Sequence, residues 1–134
     1  MSDPISIVLF SGTDDKLHAA ATIVAGAAAL DRPVNVLLQF WALDAFRADN
    51  VDLDHGLAFE SRRAGEEPPA KAGALPWAET FRQARELGDV HIRACSASMA
   101  YLGIESAQLD PMIDDVCGIA AFLLEADSGP IVFI

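Results

Sequence analysis

Apolar and polar positions along the chain fall into segments that predict strands and helices in turn. Four runs of mostly apolar, β-forming residues have the composition of strands that are covered on both faces. The predicted strands are Ile5–Phe10, Val34–Phe40, Val90–Ala94 and Ile131–Ile134. Helix-like segments separate them, and parallel strands joined by one helix form a right-handed unit in nearly all proteins. The pattern therefore predicts an α/β domain built on a parallel sheet.

The segments between the strands place apolar residues on one face, at the spacing of an amphipathic helix. The first, from Lys16 to Leu30, is rich in alanine, and its Gly26 suggests close packing on the sheet. Further helices are predicted at Trp41–Phe46, from Pro76 to Gly88, at Ser96–Leu102, from Pro111 onward and at Ile119–Glu125. Asp114 and Asp115 would then lie at a helix start, where acidic side chains favour the helix dipole.

A polar segment from Asp49 to Ala74 (about residues 49–75) interrupts this pattern. It contains Pro68, Pro69 and several glycines and shows little periodicity, so we predict a long loop. Loops of this length are often functional or mobile. We find no second boundary and expect residues 1–134 to form one domain, which is long enough to bury a core without disulfides or metals.

Charge and composition disfavour several classes of function for this chain. The chain carries 20 acidic and 9 basic residues, a net charge of −11, which disfavours nucleic acid because phosphate binding needs clustered Lys and Arg. No apolar run reaches the roughly 20 residues of a membrane-spanning helix, and the N-terminus does not resemble a signal peptide. We therefore expect a cytoplasmic protein without membrane insertion. Three scattered histidines and the absence of a Cys-x-x-Cys motif predict no metal site.

Cys95 gives the strongest chemical signal. It directly follows a predicted strand and precedes a predicted helix, where unpaired backbone N–H groups and the helix dipole stabilise a thiolate. Arg93 lies two residues earlier, on the same side of the strand, and its charge would stabilise the thiolate further. The alternative is that Cys95 is a small apolar residue of the core, as most buried cysteines are. The second cysteine, Cys117, is expected to serve packing, or to resolve an oxidised Cys95 if the fold brings the two together.

Two further groups of residues belong to the candidate site. Ser96 and Ser98 follow Cys95, and Ser11, Gly12 and Thr13 follow the first strand, at the sheet edge where ligands gather in parallel α/β folds. The alternative for both groups is local structure, in which the serines cap a helix and the Ser11–Thr13 segment forms a turn and an N-cap. Neither group matches a dinucleotide fingerprint, a P-loop or a nucleophile elbow.

Several stretches, taken in order, are similar to the DsrE/DsrF-like family of sulfur-handling proteins, which includes DsrH- and TusD-like members. The resembling stretches are Val8–Asp15, Gln39–Arg47, Ala94–Met99 with Leu102–Ile104, and Gly118–Leu123 with Ile131–Ile134. The resemblance implies a three-layer, flavodoxin-like α/β fold with four to five parallel strands and helices on both faces. It also implies homo-oligomers, trimers or hexamers, and a cysteine, here Cys95, that carries sulfur as a persulfide between a donor and an acceptor protein of a sulfur relay.

The functional prediction is a sulfur carrier or sulfurtransferase-like protein that uses Cys95 and requires no cofactor. Ser96 and nearby backbone amides would hold the persulfide anion, and the loop would serve as a lid or partner surface. One alternative is a thiol redox protein that uses Cys95 with Cys117. Another is a non-catalytic module that binds a small ligand or a protein.

Overall fold

One parallel sheet organises the structure, a computed structural model that describes residues 3–61 and 73–134. Its strands are β1 (Ile5–Leu9), β2 (Val34–Leu38), β3 (Val90–Cys95), β4 (Asp115–Cys117) and β5 (Ile131–Phe133). They lie in the order β4-β3-β2-β1-β5, and every neighbouring pair is parallel. The predicted α/β fold with a parallel sheet is confirmed.

Among the residues that the structure describes, five α-helices lie between the strands. They are α1 (Asp14–Ala29), α2 (Phe40–Ala45), α3 (Trp77–Leu87), α4 (Ser96–Leu102) and α5 (Ile119–Glu125), with single 3₁₀ turns at Phe59–Ser61 and Ser106–Gln108. Helices α1 and α3 pack side by side on one face of the sheet, and α5 lies on the other, so the sheet has helices on both faces as predicted. Over the described residues, no helix combines the length and the apolar character needed to cross a bilayer.

The larger core lies between the sheet and the helices α1 and α3. Alternate strand residues point into it because side chains along a strand alternate between the two faces. Small residues let the two helices lie close: a Cβ built on Gly88, which ends α3, would stand 2.7 Å from the Cβ of Ala28. At Gly26 a Cβ would meet no atom within 4 Å, so the prediction that Gly26 packs closely on the sheet is wrong.

The smaller core lies on the opposite face, beneath α5. Its buried residues are Val8, Leu37, Cys95, Cys117, Phe122 and Ala126. Phe122 is fully buried and fixes the seven-residue helix α5 to the sheet. Isolated helices of this length are marginal in water, so this contact stabilises α5 where propensity alone would not.

The predicted helix at Pro111 is absent, and a turn followed by β4 takes its place. The backbone N–H groups of Met112 and Ile113 donate to the side chain and the carbonyl of Asp110, at 2.9 and 3.0 Å. The backbone N–H of Asp114 then donates to the carbonyl of Ile92 at 2.7 Å, which joins the chain to β3. Asp115 lies within β4, so the prediction that the acidic pair opens a helix is also wrong.

Part of the predicted loop is ordered by two carboxylates at the start of α1. The carboxylate of Asp14 accepts hydrogen bonds from the backbone N–H of His55 at 3.1 Å and from the Trp77 indole at 3.0 Å. Asp15 accepts one from the backbone N–H of Ala58 at 3.1 Å. Residues 62–72 of this loop, including Pro68 and Pro69, lie outside the described residues.

Candidate functional site

Cys95 lies at the junction that the sequence predicted for it. It is the last residue of β3 and the N-cap residue of α4, with extended backbone angles (φ −72°, ψ 119°). Its side chain is 3% exposed and belongs to the small apolar core beneath α5. The thiol therefore lies next to a helix start and is shielded from bulk water by Phe122 and its neighbours.

Cys117 lies directly beside Cys95 on the next strand. The two residues are register partners of β3 and β4, and both belong to the core beneath α5. The Cys117 thiol, 8% exposed, donates a hydrogen bond to the carbonyl of Gly118 at 3.1 Å. Gly118 is the N-cap of α5, so both cysteines lie where a strand gives way to a helix. The fold thus brings the two thiols together. This is the condition under which Cys117 could resolve an oxidised Cys95.

Arg93 is on the same face of the sheet as both cysteines, and the sulfur that it reaches with a hydrogen bond is that of Cys117. Nη1 of Arg93 lies 3.8 Å from Cys117 Sγ, within hydrogen-bond range for sulfur. The same guanidinium pairs with Glu125 of α5 and, at 3.2 Å, with Asp115 of β4. Burial opposes the charge, but the bond to Glu125 and the charges of both carboxylates raise the pKa of Arg93. The sequence assigned this cation to Cys95, and that role stays a prediction.

His91 completes the charged group on this face. It accepts a hydrogen bond on Nδ1 from Arg93 Nη2 at 3.0 Å, while its Nε2 lies 3.3 Å from a carboxylate oxygen of Asp115. Both ring nitrogens therefore have partners. The imidazole holds Arg93 and Asp115 in place beside Cys117.

The two serines after Cys95 have opposite environments. Ser96 is exposed, and a Cβ built on Gly118 would lie 3.9 Å from its Oγ, so Ser96 stands where β3 and β4 both end. Ser98 is 1% exposed, and its Oγ has no hydrogen-bond partner among the described residues. Neither serine is the N-cap of α4, because Cys95 occupies that position.

Ser11, Gly12 and Thr13 line a different cavity, of about 390 Å³, at the end of β1. Its other lining residues are Phe10, Lys16, Trp41, Asp44, His55, Ala58, Phe59 and Glu60. Strand β2 separates β1 from β3, which puts these strands about 10 Å apart. The structure therefore does not join the Ser11–Thr13 segment to the cysteines in one site.

Packing against neighbouring residues explains most features of the Ser11–Thr13 segment. A Cβ on Gly12 would lie 2.4 Å from the carbonyl oxygen of Trp41, so only glycine fits against the start of α2. Thr13 occupies the N-cap position of α1, yet its side chain makes no capping hydrogen bond. A hydrogen bond from Lys16 lowers the pKa of Glu60, and both residues line the cavity.

An aromatic row runs along the carboxyl edge of the sheet, from β5 past the ends of β1 and β2 to α4. Ring centroids lie 5.9 Å apart for Phe133 and Phe10, 5.4 Å for Phe10 and Phe40, and 5.2 Å for Phe40 and Tyr101. Phe40 has a positive φ of 42°, a conformation that costs free energy for a residue with a side chain. Within residues 3–61 and 73–134, no three His, Cys, Asp or Glu side chains are grouped as a metal site.

Sequence reasoning missed the position of Cys117. The signal was present, because Cys117 precedes a glycine and an apolar helix much as Cys95 precedes its own helix. It was overlooked because β4 has only three residues, too few for a strand pattern to be recognised.

Comparisons with known proteins agree with this architecture. The profile of the DsrE/DsrF/DrsH-like family matches residues 2–80, a range that ends before Cys95. The uncharacterised protein YrkE of Bacillus subtilis (strain 168) is 29% identical, over 94% of this chain and 92% of YrkE. The ychN protein of E. coli superposes with a TM-score of 0.59 at 15% identity, covering 99% of this chain and 100% of its own. MTH1491 of Methanobacterium thermoautotrophicum, a protein of unknown function, gives a TM-score of 0.54 at 13% identity, covering 99% and 98%.

Proposed function

Because the chain belongs to the DsrE/DsrF/DrsH-like family, we propose that it is a sulfur carrier whose Cys95 accepts sulfane sulfur as a persulfide. The carrier then passes this sulfur to an acceptor thiol. The observation that supports the proposal is the position of Cys95 between the end of β3 and the start of α4, beside a second thiol on the next strand. Free backbone N–H groups at a helix start favour a sulfur anion over its neutral form.

Loading and unloading are two successive exchanges on sulfur. The Cys95 thiolate attacks the outer sulfur of a donor persulfide, a new S–S bond forms, and the donor leaves as a thiolate. An acceptor thiolate then attacks the outer sulfur on Cys95 and restores the Cys95 thiolate. Electrons balance within each exchange, so the cycle needs neither a metal nor an organic cofactor. Ser96, exposed at the mouth of the site, is the side chain that would first meet the donor.

A donor reaches Cys95 only when α5 moves, because the thiol is 3% exposed. Helix α5 has seven residues, and within it only Phe122 is buried. Short elements with few buried contacts open at a lower free energy than the whole domain. We therefore propose that local opening of α5 exposes the site to partner proteins of the relay, and that the loop at 49–75 contributes to the partner surface.

We further propose that the carrier works as a homo-oligomer, a trimer or a hexamer, in the cytoplasm. The face of the sheet that carries α5 exposes a group of apolar side chains that would be covered by a neighbouring subunit. This group, the α5-face patch, consists of Ile119, Leu123, Leu124, Ile131 and Phe133, which are 43% to 80% exposed.

Intact-protein mass spectrometry after exposure to inorganic polysulfide tests the carrier proposal. Directly after the exposure, wild-type protein and Cys117→Ser are expected to have gained sulfur that a reductant removes, while Cys95→Ser gains none, because the sulfur is held on Cys95. Cys95→Ser is matched to Cys117→Ser, since both replace a buried thiol in the same core. Equal gain by the two variants, or no gain by any protein, would contradict the proposal.

The register of the two cysteines favours a second candidate function, a thiol redox protein. In this function peroxide oxidises Cys95 to the sulfenic acid, and Cys117 condenses with it to a disulfide and water. Treatment with peroxide in the absence of any sulfur donor tests it. A Cys95–Cys117 disulfide that forms readily there, in a protein that takes no sulfur from polysulfide, would favour the redox function over the carrier.

A further inference from the structure

The backbone places Cys95 and Cys117 within reach of a disulfide. They are directly opposite each other on adjacent parallel strands, which lie about 4.8 Å apart. That spacing falls inside the range of roughly 4.4–6.8 Å between the Cα atoms of disulfide-bonded cysteines. Both side chains point to the α5 face, because register partners in a parallel sheet share a face. A sulfur atom on Cys95 therefore has the Cys117 thiol beside it on the adjacent strand.

Cys117 is also the cysteine with the cationic partner. Nη1 of Arg93 lies 3.8 Å from its sulfur, so a guanidinium donates to the atom that would attack. The carboxylates of Asp115 and Glu125 both pair with the same guanidinium, and His91 lies against it on the remaining side. Arg93 thus connects His91 of β3 and the carboxylates of β4 and α5 to the Cys117 thiol.

From this geometry we infer that Cys117 is a second nucleophile, which attacks the Cys95 persulfide and releases its outer sulfur as sulfide. The inference rests on the proposed loading of Cys95. The Cys117 thiol loses its proton to solvent, and its sulfur attacks Cys95 Sγ. The bond between Cys95 Sγ and the outer sulfur breaks, and that sulfur leaves with the electron pair and takes a proton from solvent to become hydrosulfide.

The products are hydrosulfide and a Cys95–Cys117 disulfide. The sulfane sulfur is reduced by two electrons and the pair of cysteines is oxidised by two, so the step needs no external oxidant. A thiol reductant then restores both cysteines. The chain would therefore release sulfide from persulfide donors when no acceptor thiol is present, in addition to carrying sulfur.

The test follows the mass of the protein and the sulfide released after a brief exposure to polysulfide and removal of the excess. Wild-type protein is expected to lose the added sulfur, to become two hydrogens lighter than the reduced chain, and to release one sulfide per loaded chain. The matched variant Cys117→Ser is expected to keep its extra sulfur and to release no sulfide until a reductant is added.

The outcomes separate this inference from the carrier proposal. If Cys117→Ser takes up no sulfur, loading of Cys95 fails and the inference fails with it. If the wild-type protein retains sulfur as long as Cys117→Ser does, or if the sulfur moves to Cys117 with no change in total mass, Cys95 is a carrier and only the inference is overturned.

Arg93 is a positioning residue in this step, and its role has its own readout. In Arg93→Gln the release of sulfide, normalised to the loaded fraction, is expected to slow about tenfold at neutral pH. Arg93→Lys, which keeps a cation beside Cys117, should restore part of that rate. Equal loss of rate in Arg93→Gln and Arg93→Lys would assign Arg93 a purely structural role.

Discussion

At the scale of single residues, the same residue type has opposite roles at different places in this fold. Gly12 lies against the carbonyl of Trp41, where a Cβ would stand 2.4 Å from oxygen, whereas Gly26 is exposed in α1 with open space around it. The two cysteines differ likewise, because Arg93 contacts Cys117 while Cys95 has mainly apolar neighbours. Residue type therefore identified the candidates, but their roles depend on contacts between distant segments.

Substituting alanine at the two glycines should change stability in opposite directions. We expect Gly12→Ala to lower the free energy of unfolding by about 1–3 kcal/mol, because the added methyl group overlaps backbone that cannot move freely. Gly26→Ala should raise it by about 0.5–1 kcal/mol, because alanine restricts the unfolded chain and fits the helix. Urea unfolding followed by tryptophan fluorescence measures both. Equal effects of the two substitutions would show that the contact of Gly12 with Trp41 is not important for stability.

At the scale of elements, the sequence predicted the strands and helices whose own residues carry a periodic pattern. The apolar strands and the helices of α1, α3 and α5 were recognised because each has its own periodicity, although their ends shifted by a residue or two. Strand β4 was missed because three residues, of which two are exposed, carry no periodic signal. The turn at Asp110 was mistaken for a helix start, since a proline and nearby acidic residues are common to both.

The candidate site could be predicted only in part for the same reason. Cys95 was found because its signal, a strand end followed by a helix, is local in sequence. The partnership of Cys95 with Cys117 and the hydrogen bond from Arg93 depend on the register of β3 and β4, which are joined through α4 and a turn. Registers of this kind are set by tertiary packing, and one sequence does not reveal them.

Helix α5 should control access to both thiols through Phe122. We expect Phe122→Ala to lower the free energy of unfolding by about 3–5 kcal/mol, through lost burial and a cavity. Because Phe122 fixes α5 over the cysteines, alkylation of both thiols by iodoacetamide under native conditions should also become at least about tenfold faster. The rate is measured by mass spectrometry on the folded protein.

The matched control is Phe81→Ala. Phe81 is equally buried, at 0% exposure, but lies in the core beneath α3 on the other face of the sheet. Phe81→Ala should lower the free energy of unfolding by a similar amount without the same increase in the rate of alkylation. Equal acceleration in both variants would mean that the thiols react through global unfolding and that α5 is not a separate gate.

At the scale of the whole molecule, the two faces of the sheet are unequal. One face is covered by α1 and α3 over an extensive core, and the other, in the described part of the chain, by α5 alone. The register of β1 and β5 places Ile131 and Phe133 on this less covered face, next to Ser6 and Val8. Together with α5 they form the α5-face patch, an exposed apolar group of a kind that marks interaction surfaces.

The patch predicts the state of assembly, and one charge should disrupt it. Leu124, at 80% exposure, belongs to the patch, whereas Leu87, at 79% exposure, lies at the end of α3 on the opposite face. If a neighbouring subunit covers the patch, Leu124→Glu buries an unpaired charge in the assembly and should convert it to monomers, while Leu87→Glu should leave its mass unchanged. Sedimentation velocity distinguishes these outcomes, and a wild-type protein that sediments as a monomer would contradict the assembly itself.

Because α5 lies between the patch and the cysteines, assembly would also restrain the helix that must open. Monomeric Leu124→Glu should therefore be alkylated faster at Cys95 and Cys117 than the assembled wild type.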